Sequence, residues 1–195
     1  MRFVGFASAL VFTVSLAAFA GSASASEEGS TFDFHVADAV IQSGTGLAQT
    51  GAVAEASNHD QVRVSGRGKL NVKSKKASGS GSFVHTHASG AVQGFGTWTA
   101  RSVRSATIYP CGEPGVPSNF CGGLVSLNVR INGTSTTAGA VSFDAVLTID
   151  CEINPPTPGV EGIKLDIPGH INFNTTIFSP GGLTVFVAKG GGNDD

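Results

Sequence analysis

Helical periodicity is nearly missing from this sequence: no long window repeats apolar residues at the three- and four-residue spacing of an amphipathic helix. That absence excludes a helical bundle or an alternating strand–helix architecture. The common signatures of nucleophilic and metal-dependent hydrolysis are also absent: there is no G-x-S-x-G elbow, no Cys/His signature and no HExxH. Beyond the first 25 residues no stretch is apolar enough to span a bilayer. Thirteen phenylalanines accompany one tyrosine and one tryptophan, a set suited to burial rather than to a sugar-stacking surface. Four of them, Phe3, Phe6, Phe12 and Phe19, fall in the first 25 residues. Charge is segregated as well. Ser26 to Gln61 holds six acids and no Lys or Arg, and Val62 to Arg104 holds eight basic residues and no acid.

What is present begins with an export signal. Arg2 precedes an apolar run from Phe3 to Ala20, and Ala23-Ser24-Ala25 has the small-x-small cleavage pattern. The expectation is a signal peptide over 1–25, with Ala20 as a second cleavage point, a single domain over 26–188, and a loose glycine-rich tail over 189–195. The mature chain is then expected to be secreted and without a transmembrane segment. An exported chain with three cysteines favours a disulfide. Cys111 and Cys121 bracket the Pro/Gly-rich loop GEPGVPSNF, so a bridge between them is the simplest pairing. Cys151 ends the apolar face of a strand and is left as a buried thiol, with its pairing to either other cysteine open. Asn132-Gly133-Thr134 and Asn174-Thr175-Thr176 match glycosylation sequons. Asn132-Gly133 also reads as a hairpin turn, because both residues accept positive φ.

The alternation has period two. Val125, Leu127, Val129 and Ile131 oppose Ser126, Asn128 and Arg130. Val141, Phe143, Ala145, Leu147, Ile149 and Cys151 share one side of the next segment. Similar patterns cover 61–72, 82–87, 92–99, 102–109, 163–167 and 183–188, with 32–42 as the first strand. Eight or nine strands punctuated by Gly, Pro, Asn and Ser predict an all-β antiparallel barrel or sandwich. Abundant glycine within strands favours the barrel. The three prolines of 152–162 make that connection stiff.

Two features carry candidate chemistry. His85 and His87 are i and i+2 and share a strand face with Phe83, so an inward Phe83 turns both histidines inward. On the opposite register, Arg63, Arg67, Lys69 and Lys73 project from the polar face of 61–72, a candidate anion-binding surface flanked by Arg101 and Arg104. Asp144 and Asp150 share a face too, but about 20 Å apart along the strand, too far for a carboxylate pair.

Gly79-x5-His85-x-His87 resembles the start of the first cupin motif, and Gly162-x5-Pro168-Gly169-His170-x3-Asn174 resembles a shortened second motif. That resemblance implies a β-barrel binding a divalent transition metal through His85, His87 and His170. Ala91 and Val92 stand where the family's metal-binding glutamate belongs. The hairpin GSGSFVHTHASGAVQGFGTWTA, with EGIKLDIPGHINFN and LTVFVA, is also similar to a group of small uncharacterised β-rich proteins sharing a G-[ST]-F-x-H…G-x-G-T-W-T-A hairpin. That likeness implies a shared fold over scattered parts of 60–188 and carries no functional residue across.

The expected function is binding without catalysis, by a monomer: a small apolar ligand in a barrel pocket, or an anionic glycan or surface at the basic strand. No specific nucleic-acid partner and no cofactor are expected. The alternatives are a barrel enzyme, either cupin-like or a cofactor-free cyclase or isomerase, and a structural or cell-surface interaction protein.

Overall fold

The structure is a computed structural model that describes residues 30–189. The expected signal peptide and most of the tail lie outside these residues. Eleven strands follow in chain order: β1 (Thr31–Val36), β2 (Ala52–Glu55), β3 (Gln61–Asn71), β4 (Lys76–Thr86), β5 (Val92–Cys111), β6 (Phe120–Ser135), β7 (Gly139–Cys151), β8 (Gly162–Asp166), β9 (Asn172–Phe173), β10 (Thr175–Ile177) and β11 (Thr184–Ala188). One short helix, α1 (Ala39–Thr45), follows β1. Every strand pairing is antiparallel. The all-β class holds, with more strands than expected: β4, β5 and β6 run longer than their patterns, and short strands such as β2, β9 and β10 are added.

Six strands close a hydrogen-bonded ring: β1 to β3, β4, β5, β6, β11 and back to β1. The ring forks at two strands. Gln61–Val64 of β3 pair with β2, and Gly66–Asn71 then pair with β1 along the same strand. Cys121 and Phe120 of β6 pair with β11, whereas Gly123–Ser135 pair with β7. From the forks, β7–β8–β9 and β2–β10 run on as two arms of the same sheet.

The interior follows the two-residue period. Val125, Leu127, Val129 and Ile131 of β6 are buried, as are Ala145, Leu147, Ile149 and Cys151 of β7. Val141 and Phe143 continue the inward row of β7 but stay partly exposed, because they face a cavity instead of neighbours. Where β3 faces β4, Gly66 pairs with Gly81 and Gly68 with Gly79. The missing side chains let Trp98 and Phe34 lie on the backbone itself. A Cβ on Gly66 would fall 2.5 Å from the Trp98 ring, and one on Gly68 would fall 2.7 Å from Phe34. Trp98 is thus fully buried and donates Nε1–H to Ser65 O at 3.1 Å. It is a core residue and cannot stack on an external ligand.

Three local expectations change. Strand β1 stops at Val36, and the continuation is α1, because Asp38 accepts hydrogen bonds from Val40 N and Ile41 N and Gly46 closes the helix at φ +73°. Residues 92–99 and 102–109 form one strand, β5, whose register shifts absorb the bend between them. Asn132-Gly133 lies inside β6 and not in a turn; Gly133 is there because Phe83 and Phe95 O leave no room for a Cβ. Cys111 and Cys121 are bridged, and Cys151 is a buried free thiol. No helix among the described residues is long and apolar enough to cross a membrane.

Candidate functional site

At the end of the sheet where β4, β6 and β8 finish and β3, β5 and β7 begin, the interior is hollow. The cavity there measures about 320 Å³, at the small end of the about 300–1,000 Å³ range of ligand sites. Its walls are mainly apolar: Val62, Phe83, Ile131, Val141, Phe143, Leu165, Ile167, Ile171 and Phe173. His85, Gln93, Thr134, Ser135 and His170 add the polar groups. Ser135 Oγ is already committed to the β6–β7 turn, where it accepts from Thr137 N and Ala138 N.

His85 is inward, as its shared parity with Phe83 predicts. Its ring meets Phe173 edge-on with centroids 5.2 Å apart. Its Nε2 lies 3.2 Å from Asp60 Oδ2. Asp60 ends the turn between β2 and β3, and the β3–β4 register, with Val62 opposite His85, brings its carboxylate beside the imidazole. The other Asp60 oxygen accepts from Ala88 N at 3.1 Å. Burial pushes the Asp60 carboxyl up, but hydrogen bonds from His85 and Ala88 N outweigh it and hold the group below its ordinary range. An ionised Asp60 only accepts, so the proton of the His85–Asp60 bond sits on Nε2.

His87 does not share that environment. A register irregularity falls between His85 and Thr86, β4 ends, and His87 enters a tight turn. It is exposed, and its Nδ1 accepts from Ser89 N at 3.2 Å. His170 sits in the exposed turn between β8 and β9 and packs on Phe143, centroids 4.2 Å apart. The structure thus brings His85 and His170 to one cavity and leaves His87 outside. Among the described residues no group of three His, Cys, Asp or Glu is placed to hold a metal ion. His170 and Ile171 also border a second hollow of about 530 Å³, lined by Ser57, Asn58, Asn172 and Asn174. A polar vestibule therefore adjoins the apolar chamber. Of the two sequon residues, Asn174 is exposed at this vestibule, and Asn132 is exposed on β6, accepting from Ser142 Oγ at 2.6 Å.

The basic residues fall where parity puts them. Arg63, Arg67 and Lys69 are exposed on the outer side of β3, and Lys73 lies in the following turn. Arg63 is partly committed: its Nη1 donates to Thr50 O at 3.3 Å and Gly51 O at 3.4 Å. Lys69, Lys76 and Arg101 border one shallow open groove.

The far ends of β6, β7 and β8 carry a feature absent from the sequence expectations. Glu161 accepts from Thr184 N at 2.6 Å, Thr184 Oγ1 at 2.7 Å and Glu152 N at 2.7 Å. Burial pushes its carboxyl up to about 7, against those hydrogen bonds. Asp150 rises to about 6, through burial first and then the negative charge of Glu152. Burial likewise pushes the Cys151 thiol well up, with the Glu161 charge adding to it. Glu161, Cys151 and Glu152 border a smaller hollow of about 270 Å³ between α1 and the loop of the disulfide. In sequence Asp150 stood only beside the distant Asp144 and Cys151 only as a buried thiol, and neither pointed to Glu161.

Compared with known proteins, the chain matches no family model, no curated protein and no solved structure.

Proposed function

We propose that the protein is an exported binding protein that takes a small, mostly apolar molecule into the chamber at the β4–β6–β8 end. The observation that carries this reading is the cavity itself. About 320 Å³ of space is walled mainly by apolar side chains, a volume and a lining that suit a small ligand. Apolar side chains facing an open hollow forgo the stabilisation that burial would give them, about 25 cal/mol per Å², which a bound apolar molecule would restore. Export is supported by the amino-terminal apolar run and by the Cys111–Cys121 bridge, a bond that persists in oxidising compartments.

The test uses N-phenyl-1-naphthylamine, a neutral apolar probe that brightens out of water. Titration into the protein should give saturable fluorescence. Val141→Phe, which pushes a ring into the chamber, should weaken binding at least about tenfold. No saturable binding to the wild-type protein overturns the reading, and so does undiminished binding to the folded Val141→Phe variant.

A further inference from the structure

His85 is the only chamber-lining side chain among the described residues whose ring is held by a buried carboxylate. That bond fixes more than orientation. Asp60 spends one oxygen on Ala88 N and the other on Nε2 of His85, and as an anion it has no proton to give. Neutral His85 therefore carries its proton on Nε2, and Nδ1 is left with a lone pair. Nδ1 has no hydrogen-bond partner among the described residues, whereas His35, His59 and His87 all use theirs. The imidazole lines the chamber edge-on to Phe173, in largely apolar surroundings where a hydrogen bond is stronger than in water.

We propose that the chamber selects apolar molecules bearing a hydroxyl, phenols or alcohols, whose O–H donates to Nδ1 of His85. This rests on the chamber being a ligand site and adds the chemical class of the ligand. An apolar molecule without a donor leaves Nδ1 desolvated and unpaired. One carrying only an acceptor places two lone pairs against each other. Discrimination against an analogue lacking the donor comes from leaving the acceptor unpaired.

Three probes of nearly equal size separate the possibilities at pH 8, above the ordinary imidazole range: naphthalene, 2-naphthol and 2-methoxynaphthalene. In the wild-type protein 2-naphthol should bind about tenfold more tightly than naphthalene, and 2-methoxynaphthalene should gain nothing. Asp60→Asn provides the sharper test. Its oxygen still accepts from Ala88 N, and its amide then donates to Nε2, which moves the imidazole proton to Nδ1. The preference should pass from 2-naphthol to 2-methoxynaphthalene. A direct readout needs no variant: the nitrogen-15 resonance of His85 Nδ1 should start as an unprotonated nitrogen and shift on adding 2-naphthol but not naphthalene. Equal affinity for naphthalene and 2-naphthol, or an unmoved Nδ1 resonance, overturns this selection and leaves the chamber as a site. So does a folded Asp60→Asn variant that keeps the 2-naphthol preference. Failure of all three probes to bind overturns the chamber reading and this one together.

Discussion

Two buried carboxylates sit at opposite ends of the β6–β7–β8 sheet and are driven in opposite directions. Asp60, at the open end, is 6% exposed and yet titrates below its ordinary range, because His85 and an amide N–H answer its charge. Glu161, at the closed end, has three hydrogen-bond donors but no cationic side chain, and it rises to about 7. The number of hydrogen bonds does not decide the outcome. Burial raises both groups; at Asp60 hydrogen bonds from His85, Ala88 N and Asn58 outweigh it, and at Glu161 the deeper burial outweighs the donors. The open end keeps space and a fixed charge, while the closed end is tied down by a disulfide and a helix and keeps its acids partly neutral.

The largest expected effect tests the tying. Replacing Cys111 and Cys121 together by serine opens a loop spanning 10 positions and should cost about 2–3 kcal/mol in urea unfolding. A loss below about 0.5 kcal/mol would show that the closed end does not depend on its bridge. Next comes pH. The unfolded chain releases the Glu161 proton near 4.5 and the folded chain keeps it to about 7. Between those values folding takes up a proton, so stability falls as pH rises and the loss is complete above the folded value. From about pH 5 to about pH 8 the decline should be on the order of 2 kcal/mol, and Glu161→Gln should flatten it. Asp60 has the reverse sign: its contribution is present above the ordinary carboxylate range and disappears on acidification. The smallest effect belongs to the hollow. Val141→Phe should change unfolding free energy by less than about 1 kcal/mol, because the new ring enters existing space. A larger loss would mean that the chamber walls cannot take an occupant without strain.

The strands that could be read from sequence are those with one wet face. β6 alternates from Leu124 to Ile131 and β7 from Val141 to Cys151, and both appear where the pattern puts them. β2 does not alternate, because Ala52, Val53 and Ala54 are all buried between two sets of neighbours. β9 and β10 are too short to show a period. Helix α1 rests on its caps, Asp38 and Gly46, and buries Ile41 alone, so it has no apolar stripe to find. The inward turn of His85 could be read from its parity with Phe83. Asp60 could not, because its contact depends on the register between β3 and β4, and register depends on a hairpin ten residues away from either end. Glu161 was hidden because Thr184, which gives two of its hydrogen bonds, lies in another segment, and the third, from Glu152 N, depends on how the 152–162 connection folds back.

The pairing of β1 with β11 has a consequence for how the molecule is made. Residues 32–36 pair with residues 184–188, so the ring is sealed by segments separated by nearly the whole described chain. No prefix of the polypeptide can close it. Loop-closure entropy must be met before that last seam returns any energy, which places this protein among slow folders of high contact order. Until the final strand emerges, β1 and the Phe120–Cys121 end of β6 each offer a bare edge to any passing chain.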